Sequence, residues 1–289
     1  LDTAEDYSND SLLYSKVLMH LRDQKLAEEF SKEISQIEKA LKQNTNQNID
    51  KIKNFLTKHN NQIVLDDDLL MRLALIYYQQ SNFKLQDEME NYHQKLSLYY
   101  SKKLQESPEL PQPNYETTQT YCERLLKEYP NSSFADYGRY LLGVIQEEVG
   151  NYDEAKAFYA DIIKLHPFSK HREEVLWRHA ELSFDFGEYT SAANSYEDLV
   201  KINSQNYKQR ALYKLGALEF QLKKYKQSMS RFESLLSEEI SFEMLSPSLQ
   251  NEAFEYVGLL YLKGQSLKAL SDTQKFKAVS AVGERMERH

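Results

Sequence analysis

The chain has 289 residues, 41% hydrophobic and 28% charged, with 8 Gly, 6 Pro and a formal net charge of −8. So few turn formers argue against an all-β fold, and an acidic chain without a basic stripe argues against nucleic acid or an acidic membrane surface as its main partner. A single cysteine, Cys122, rules out an internal disulfide, and no apolar run approaches the roughly 18–20 residues needed to cross a bilayer.

In chain order, residues 7–42 read as a helix, with Phe30, Ile34, Ile37 and Leu41 at 4-3-4 spacing to form a packing stripe. The amide-rich run from Gln43 to Asn48 reads as a polar turn, and Ile49 to Lys58 as a short helix. Asp66, Asp67 and Asp68 read as the acidic start of a helix beginning near Leu69, where carboxylates cap free N–H groups. Met71 to Tyr78 continues that helix, which stays helical from Phe83 towards Gln105. Pro108, Pro111 and Pro113 then forbid a helix and predict an extended connector. Tyr115 to Pro130 reads as the next helix.

From Asp136 the chain repeats. Counting Asp136 as position 1, Leu142 and Gly143 fall at 7 and 8, Gly150 at 15, Tyr152 at 17, Ala155 at 20, Tyr159 at 24, Ile162 at 27 and Pro167 at 32. Small residues at 8 and 20 let two antiparallel helices approach, a large ring at 24 fills the gap between hairpins, Gly at 15 ends the first helix, and Pro at 32 ends the second. The pattern returns at Glu173, with Ala180, Gly187, Tyr189, Ala192, Tyr196 and Leu199. It returns again at Gln209, with Leu215, Gly216, Tyr225, Ser228, Phe232 and Leu235. A weaker copy starts at Asn251, with Val257, Gly258, Tyr261 and Leu270, and Ser266 to Ser280 is expected to supply its second helix. This is the tetratricopeptide signature, with units somewhat longer than the ~34-residue norm. The predicted fold is an all-α, α-α superhelical solenoid of TPR-like helical hairpins. Its expected divisions are 1–62 (N-terminal helical segment), 63–132 (irregular hairpins with the Pro-rich connector) and 133–289 (regular array). We expect that array to continue past His289, because solenoids end in polar caps, and expect the start at Leu1 to follow removal of a targeting segment.

No constellation of catalytic residues stands out. His166, His171 and His179 fall near one inter-repeat turn, but no Cys pair or HExxH accompanies them, so they read as turn and packing residues rather than zinc ligands. Cys122 falls at a position-24 packing site and reads as a small buried hydrophobe. No phosphate loop or nucleophile elbow occurs, and no cofactor or metal is expected. Many of the 21 tyrosines, among them Tyr77, Tyr78, Tyr152, Tyr159, Tyr189, Tyr196, Tyr225 and Tyr261, fall at repeat positions, where most are expected to pack the core. Positions 2, 5, 9 and 12 of each first helix instead point into the expected concave groove. They place Tyr137, Tyr140, Val144 and Glu147 there, then Glu174, Trp177, Glu181 and Phe184, then Arg210, Tyr213, Ala217 and Phe220. This mixed aromatic and acidic surface would suit an extended or helical peptide with apolar anchors and basic residues.

Four stretches carry a closer family resemblance: LALIYYQQS (Leu73–Ser81), ELPQPNY (Glu109–Tyr115), CERLLKEYPNS (Cys122–Ser132) and ALYKLGALEFQLKKYKQSMSRF (Ala211–Phe232). Across roughly residues 67–270 the chain resembles the tetratricopeptide proteins of the bacterial cell envelope, including Tol-Pal-associated and outer-membrane-assembly types. It most resembles the multi-repeat deltaproteobacterial proteins linked to adventurous gliding motility. That resemblance implies a non-enzymatic periplasmic scaffold whose partners are other proteins of an envelope assembly. The alternative is a cytoplasmic peptide-recognition module or co-chaperone. Such clamps use Lys and Arg contacts to carboxylates, whereas this predicted groove is aromatic and acidic.

Overall fold

The computed structural model describes residues 32, 36, 39–54, 58, 65–237, 246–268 and 270–287. Every regular element among them is a helix: α1 (39–54), α2 (Asp67–Tyr100), α3 (Glu116–Glu128), α4 (Ala135–Glu148), α5 (Tyr152–Leu165), α6 (Arg172–Asp185), α7 (Tyr189–Lys201), α8 (Lys208–Gln221), α9 (Tyr225–Ser237), α10 (Pro247–Leu262) and α11 (Asp272–Glu287). From α5 onward each helix packs on the one before it, which is the helical solenoid expected. Contacts divide the chain into two units, Leu1–Tyr121 and Cys122–His289, with the division inside α3.

In the first unit, Asp66 caps α2 by accepting a hydrogen bond from the Leu69 amide at 2.9 Å, and Asp67 and Asp68 occupy the first turn, as the acidic run implied. The buried residues of α2 are Leu70, Met71, Leu73, Ala74 and Tyr77, all within its first three turns. Beyond them α2 is more exposed, held by local pairs such as Lys84–Glu88 and by polar contacts to α1 such as Lys42 with Asp87. The proline-containing connector is non-helical, as predicted. It returns to α2 through Tyr115, whose hydroxyl donates to Asn82 Oδ1 at 2.7 Å and whose ring packs on Tyr78. The expected polar turn at Gln43–Asn48 does not form, since α1 runs straight through it. Thr45 and Ile49 lie one turn apart on its buried face, Asn44 and Asn48 bond to each other, and Gln80 donates to Asn46. Amides that signal a turn in isolation are here satisfied on a helix surface. Of the proposed N-terminal stripe, Leu41 is exposed, while Phe30, Ile34 and Ile37 lie outside the described residues.

In the second unit the hairpins α4/α5, α6/α7 and α8/α9 repeat one design. Position 8 carries no large side chain, and the ring at position 24 takes the vacated volume. Tyr159, Tyr196 and Phe232 are all fully buried, facing Gly143, Ala180 and Gly216. The first helix of each hairpin ends identically. The residue at position 15 is left-handed, Gly150 (φ 85°), Gly187 (φ 75°) and Lys223 (φ 59°), and Gly264 (φ 81°) does the same after α10. The next amide then reaches back five residues: Asn151 to Gln146, Glu188 to Ser183, Lys224 to Glu219 and Gln265 to Leu260, at 2.7–3.0 Å. This Schellman closure satisfies carbonyls that a helix end leaves open.

The last hairpin departs from expectation. Its second helix begins at Asp272 rather than Ser266 and runs through Gly283. Ser271 sets the start: its hydroxyl accepts from the Gln274 amide while the Gln274 side chain accepts from the Ser271 amide, a reciprocal capping box.

A methyl group at Gly143 would sit 2.5 Å from Tyr159 Cε1, and one at Gly216 2.7 Å from Phe232 Cε2. Both rings are walled in. We therefore expect Gly143→Ala and Gly216→Ala each to destabilise the second unit by about 1–3 kcal/mol, despite the better helix propensity of Ala. Gly138→Ala meets the flexible end of Leu125 at 3.1 Å, with Leu126 at ordinary contact distance, and should be close to neutral. Thermal unfolding followed by circular dichroism distinguishes these outcomes.

Candidate functional site

The first helices α4, α6 and α8 lie side by side, and their shared face is joined across each junction by two recurring contacts. The first is a ring at the N-cap of the incoming helix. His171 precedes α6 and stacks on Tyr137 and Tyr140 of α4, with centroids 4.5 and 4.7 Å apart. Tyr207 precedes α8 and stacks on Trp177 of α6 at 5.3 Å. In each case a serine just upstream, Ser169 or Ser204, accepts the N-cap residue's amide hydrogen and fixes the turn. Ser132 does the same for Phe134 at the N-cap of α4.

The second contact is a carboxylate held by two donors. Glu147 of α4 accepts from the Tyr159 hydroxyl in its own hairpin at 2.7 Å and from Arg178 of the next at 3.1 Å. Glu181 of α6 accepts from the Tyr196 hydroxyl and from Lys214 of α8, the latter at 2.9 Å. Burial first, then these bonds, raise the Tyr159 and Tyr196 phenols above the ordinary tyrosine range, so both remain protonated donors. The third junction changes the wiring, because Phe232 has no hydroxyl. There the Tyr213 hydroxyl donates to Glu252 of α10, while Arg231 of α9 pairs with Glu219 in its own hairpin at 3.4 Å and back to Glu197 of α7 at 2.7 Å.

These contacts sort the predicted groove residues. Tyr137, Tyr140, Trp177 and Phe184 keep half-buried rings along the shared face, and Arg210 is exposed. Glu147 and Glu181 lie there too, but each carboxylate is neutralised inside the fold, so the acidic character expected of the groove is largely compensated. Phe220 packs against Tyr225 and Tyr256. Tyr213 is only 7% exposed and sits in the core between the third and fourth hairpins, against Phe232 and Tyr256, so the structure withdraws it from the open surface. The partners Arg178, Lys214 and Tyr207 escaped the sequence reading, and His171 was read there without its aromatic stack. Their signal is positional: His171 and Tyr207 occupy the same place in successive units, as do Arg178 and Lys214.

The three clustered histidines go separate ways. Arg139 donates to His166 Nε2 at 3.2 Å, His171 lies in its tyrosine stack, and His179 Nδ1 is 2.9 Å from Ser195 Oγ. Among the described residues no group of three or more His, Cys, Asp or Glu side chains is arranged to hold a metal ion, and no helix is long and apolar enough to cross a membrane. Cys122 is fully buried, and burial, with Glu123 nearby, pushes its thiol up to about 12, as suits a packing residue and not a nucleophile.

Two segments, residues 137–169 and 210–239, match the family model of the tetratricopeptide repeat. The array is built on tetratricopeptide repeats. Those segments fall on the first and third regular hairpins, and the structure shows that the second, although outside the match, has the same construction. The model identifies the repeat and not the envelope or gliding-motility subgroup. Solved structures similar to this chain include MamA, from residue 41 to its end, from Desulfovibrio magneticus RS-1 (16% identical, covering 60% of this chain and 84% of that one, TM-score 0.39). Another is YrrB, described as a TPR protein with an unusual peptide-binding site (14% identical, 74% and 88%, TM-score 0.43). A third is a putative kinesin light chain from Podosopora anserina (10% identical, 68% and 96%, TM-score 0.40). At these identities and scores the likeness carries nothing about function. No curated protein matches the chain.

Burial lowers the pKa of His171, with Lys170 adding to the effect and Asp136 and Glu174 opposing it, and His171 Nε2 is buried without a hydrogen-bond partner. As the pH falls below about 6.5 the unfolded chain takes up its proton first, so folding stability is lost on the acid side. We expect His171→Phe, which keeps a ring in the stack and removes the unpaired nitrogen, to raise stability by about 1 kcal/mol at pH 7. It should also flatten part of the decline between about pH 7 and 5. Denaturant titrations of wild type and variant across that range check both expectations. A separate double-mutant cycle on Glu147 and Arg178 should return a coupling of about 1 kcal/mol, as befits a half-buried pair sharing its carboxylate with a tyrosine.

Proposed function

We propose that this protein is a non-enzymatic scaffold that holds segments of partner proteins against the face formed by α4, α6 and α8. One observation carries the reading. Ring faces recur along that surface at Tyr137, Tyr140, Trp177 and Phe184, held half-buried by stacking and already relieved of the charges beside them. Rigid aromatic anchors of this kind are favoured at protein interfaces because they bring large contact area at little entropic cost. The match to an interaction repeat, in place of any enzyme family, points the same way. Neutralisation of Glu147 and Glu181 shifts the expected ligand from a basic peptide towards an extended or helical segment recognised chiefly by apolar anchors, with Arg210 free to meet a carboxylate at the rim.

We further propose that the scaffold works in a bacterial envelope, in the periplasm, among components of a multi-protein assembly. The support is the resemblance carried by Leu73–Ser81, Glu109–Tyr115, Cys122–Ser132 and Ala211–Phe232. Fractionation of the native host with an antibody to this chain tests the location, and recovery only with cytoplasmic markers would overturn it.

For the groove, a peptide array drawn from proteins that co-purify with the chain should give ligands whose binding weakens about 10–100-fold in the Tyr140→Ala/Trp177→Ala variant. It should change only a few-fold when salt is raised from about 0.05 to 0.5 M, since little net charge is in play. A folded variant, judged by an unchanged helical spectrum, that binds as well as wild type would sink the groove. Tyr213→Ala is unsuited to this test, because it would open the core between two hairpins.

A further inference from the structure

The turns joining the first and second helices of successive hairpins lie along one edge of the second unit. The first two turns touch: Tyr152 packs on Phe186 at 5.3 Å, and Lys156 reaches Glu188 at 2.5 Å. The shared Schellman geometry pushes the C-cap residue outward at each turn. Val149, Phe186 and Leu222 are thereby 36%, 52% and 41% exposed; at the fourth turn the C-cap is Lys263, and Leu262 just before it is 62% exposed. An apolar residue presented by the same backbone device at three turns, with the exposed Leu262 beside the fourth, makes a spine along the edge.

The charges flanking this spine change sign half-way. The first turn exposes Glu148, Asp153 and Glu154, and the second Asp185 and Glu188. The lysine among them, Lys156, is buried and already paired with Asp153 and Glu188. The third turn exposes Lys223, Lys224 and Lys226, and the fourth Lys263 and Lys268. The nearest acids there are Glu219, which is turned inward towards Arg231, and Asp272, which is paired with Lys275. An apolar spine with acid at one end and base at the other is complementary to itself when reversed.

We propose that this edge is a two-fold interface with a second copy of the chain, lying antiparallel. The symmetry axis passes between the second and third turns, so Phe186 meets Leu222 of the second copy and the reverse. The acidic turns then oppose the basic ones on both sides of the axis, as an isologous contact requires. Four turns at helix spacings of about 8–10 Å make a strip some 30 Å long, enough for an interface of ordinary size. The groove on α4, α6 and α8 stays open in such a pair, so the pairing stands or falls independently of the function proposed above.

Sedimentation velocity of the full chain at about 100 µM and low salt should give twice the monomer mass of 34.0 kDa, falling to the monomer as salt rises. Two charge-swapped variants make the test specific: Glu154→Lys/Asp185→Lys, and Lys223→Glu/Lys226→Glu. None of these four residues makes one of the core ion pairs above, and circular dichroism verifies the fold. Each variant alone should be monomeric, because like charges meet on both sides of the axis. An equimolar mixture of the two should recover the dimer, since each half of the edge then faces its opposite. A monomeric wild type, a swapped variant that still pairs with itself, or a mixture that stays monomeric would each overturn the proposal.

Discussion

Everything in the second unit follows from one steric bargain: a missing side chain on the first helix of a hairpin opposite a whole ring on the second. Gly143 accepts Tyr159, Ala180 accepts Tyr196 and Gly216 accepts Phe232. That exchange sets how closely the two helices approach, and so where the next hairpin must lie to cover the outer side of the ring. A larger residue at position 8 would separate the helices, and a smaller one at position 24 would leave a void that dense interiors do not tolerate. Because the exchange recurs, the first helices come to lie side by side, which is the condition for a continuous binding face.

The ring at position 24 also has a polar end, and the protein uses it. Where that ring is tyrosine, its hydroxyl holds a carboxylate that in turn receives a cation from the following hairpin. Packing within one repeat is thus tied to alignment with the next through a single side chain. Where the ring is phenylalanine, as at Phe232, the coupling to the next hairpin moves to Tyr213 with Glu252, and Arg231 ties back to Glu197 of the hairpin before. In repeat arrays the interfaces between neighbours supply much of the stability, so each junction here is both fastened and individually marked.

The parts of this arrangement legible in the sequence were those imposed by local sterics. Small residues at 8, rings at 24, left-handed glycines at 15 and the helix-breaking prolines each declare themselves without knowledge of a neighbour. The aspartates at 66–68 announced a helix start in the same way. The parts that escaped depend on register between hairpins. His171 looked like a turn residue until the preceding helix supplied two tyrosines to stack on it, and Glu147 looked like groove acidity until Arg178 arrived from the next unit. Tyr213 occupies a groove position by count, yet α10 reaches over it with Glu252 and Tyr256. Two boundaries failed for a different reason. At Gln43–Asn48 amides that often mark turns were satisfied on a helix surface, and at Ser271 a capping box overrode the expected repeat length.

Cys122 carries a practical consequence of its burial. It is the chain's one thiol, lies in α3 where the two units divide, and has no access to solvent in the folded state. A thiol-specific reagent can therefore modify the protein only when that helix opens. The labelling rate becomes a clock for local opening at the boundary, read from the unaltered protein without an engineered probe. Comparing that clock with global unfolding would reveal whether the boundary helix loosens by itself or only when the whole array comes apart.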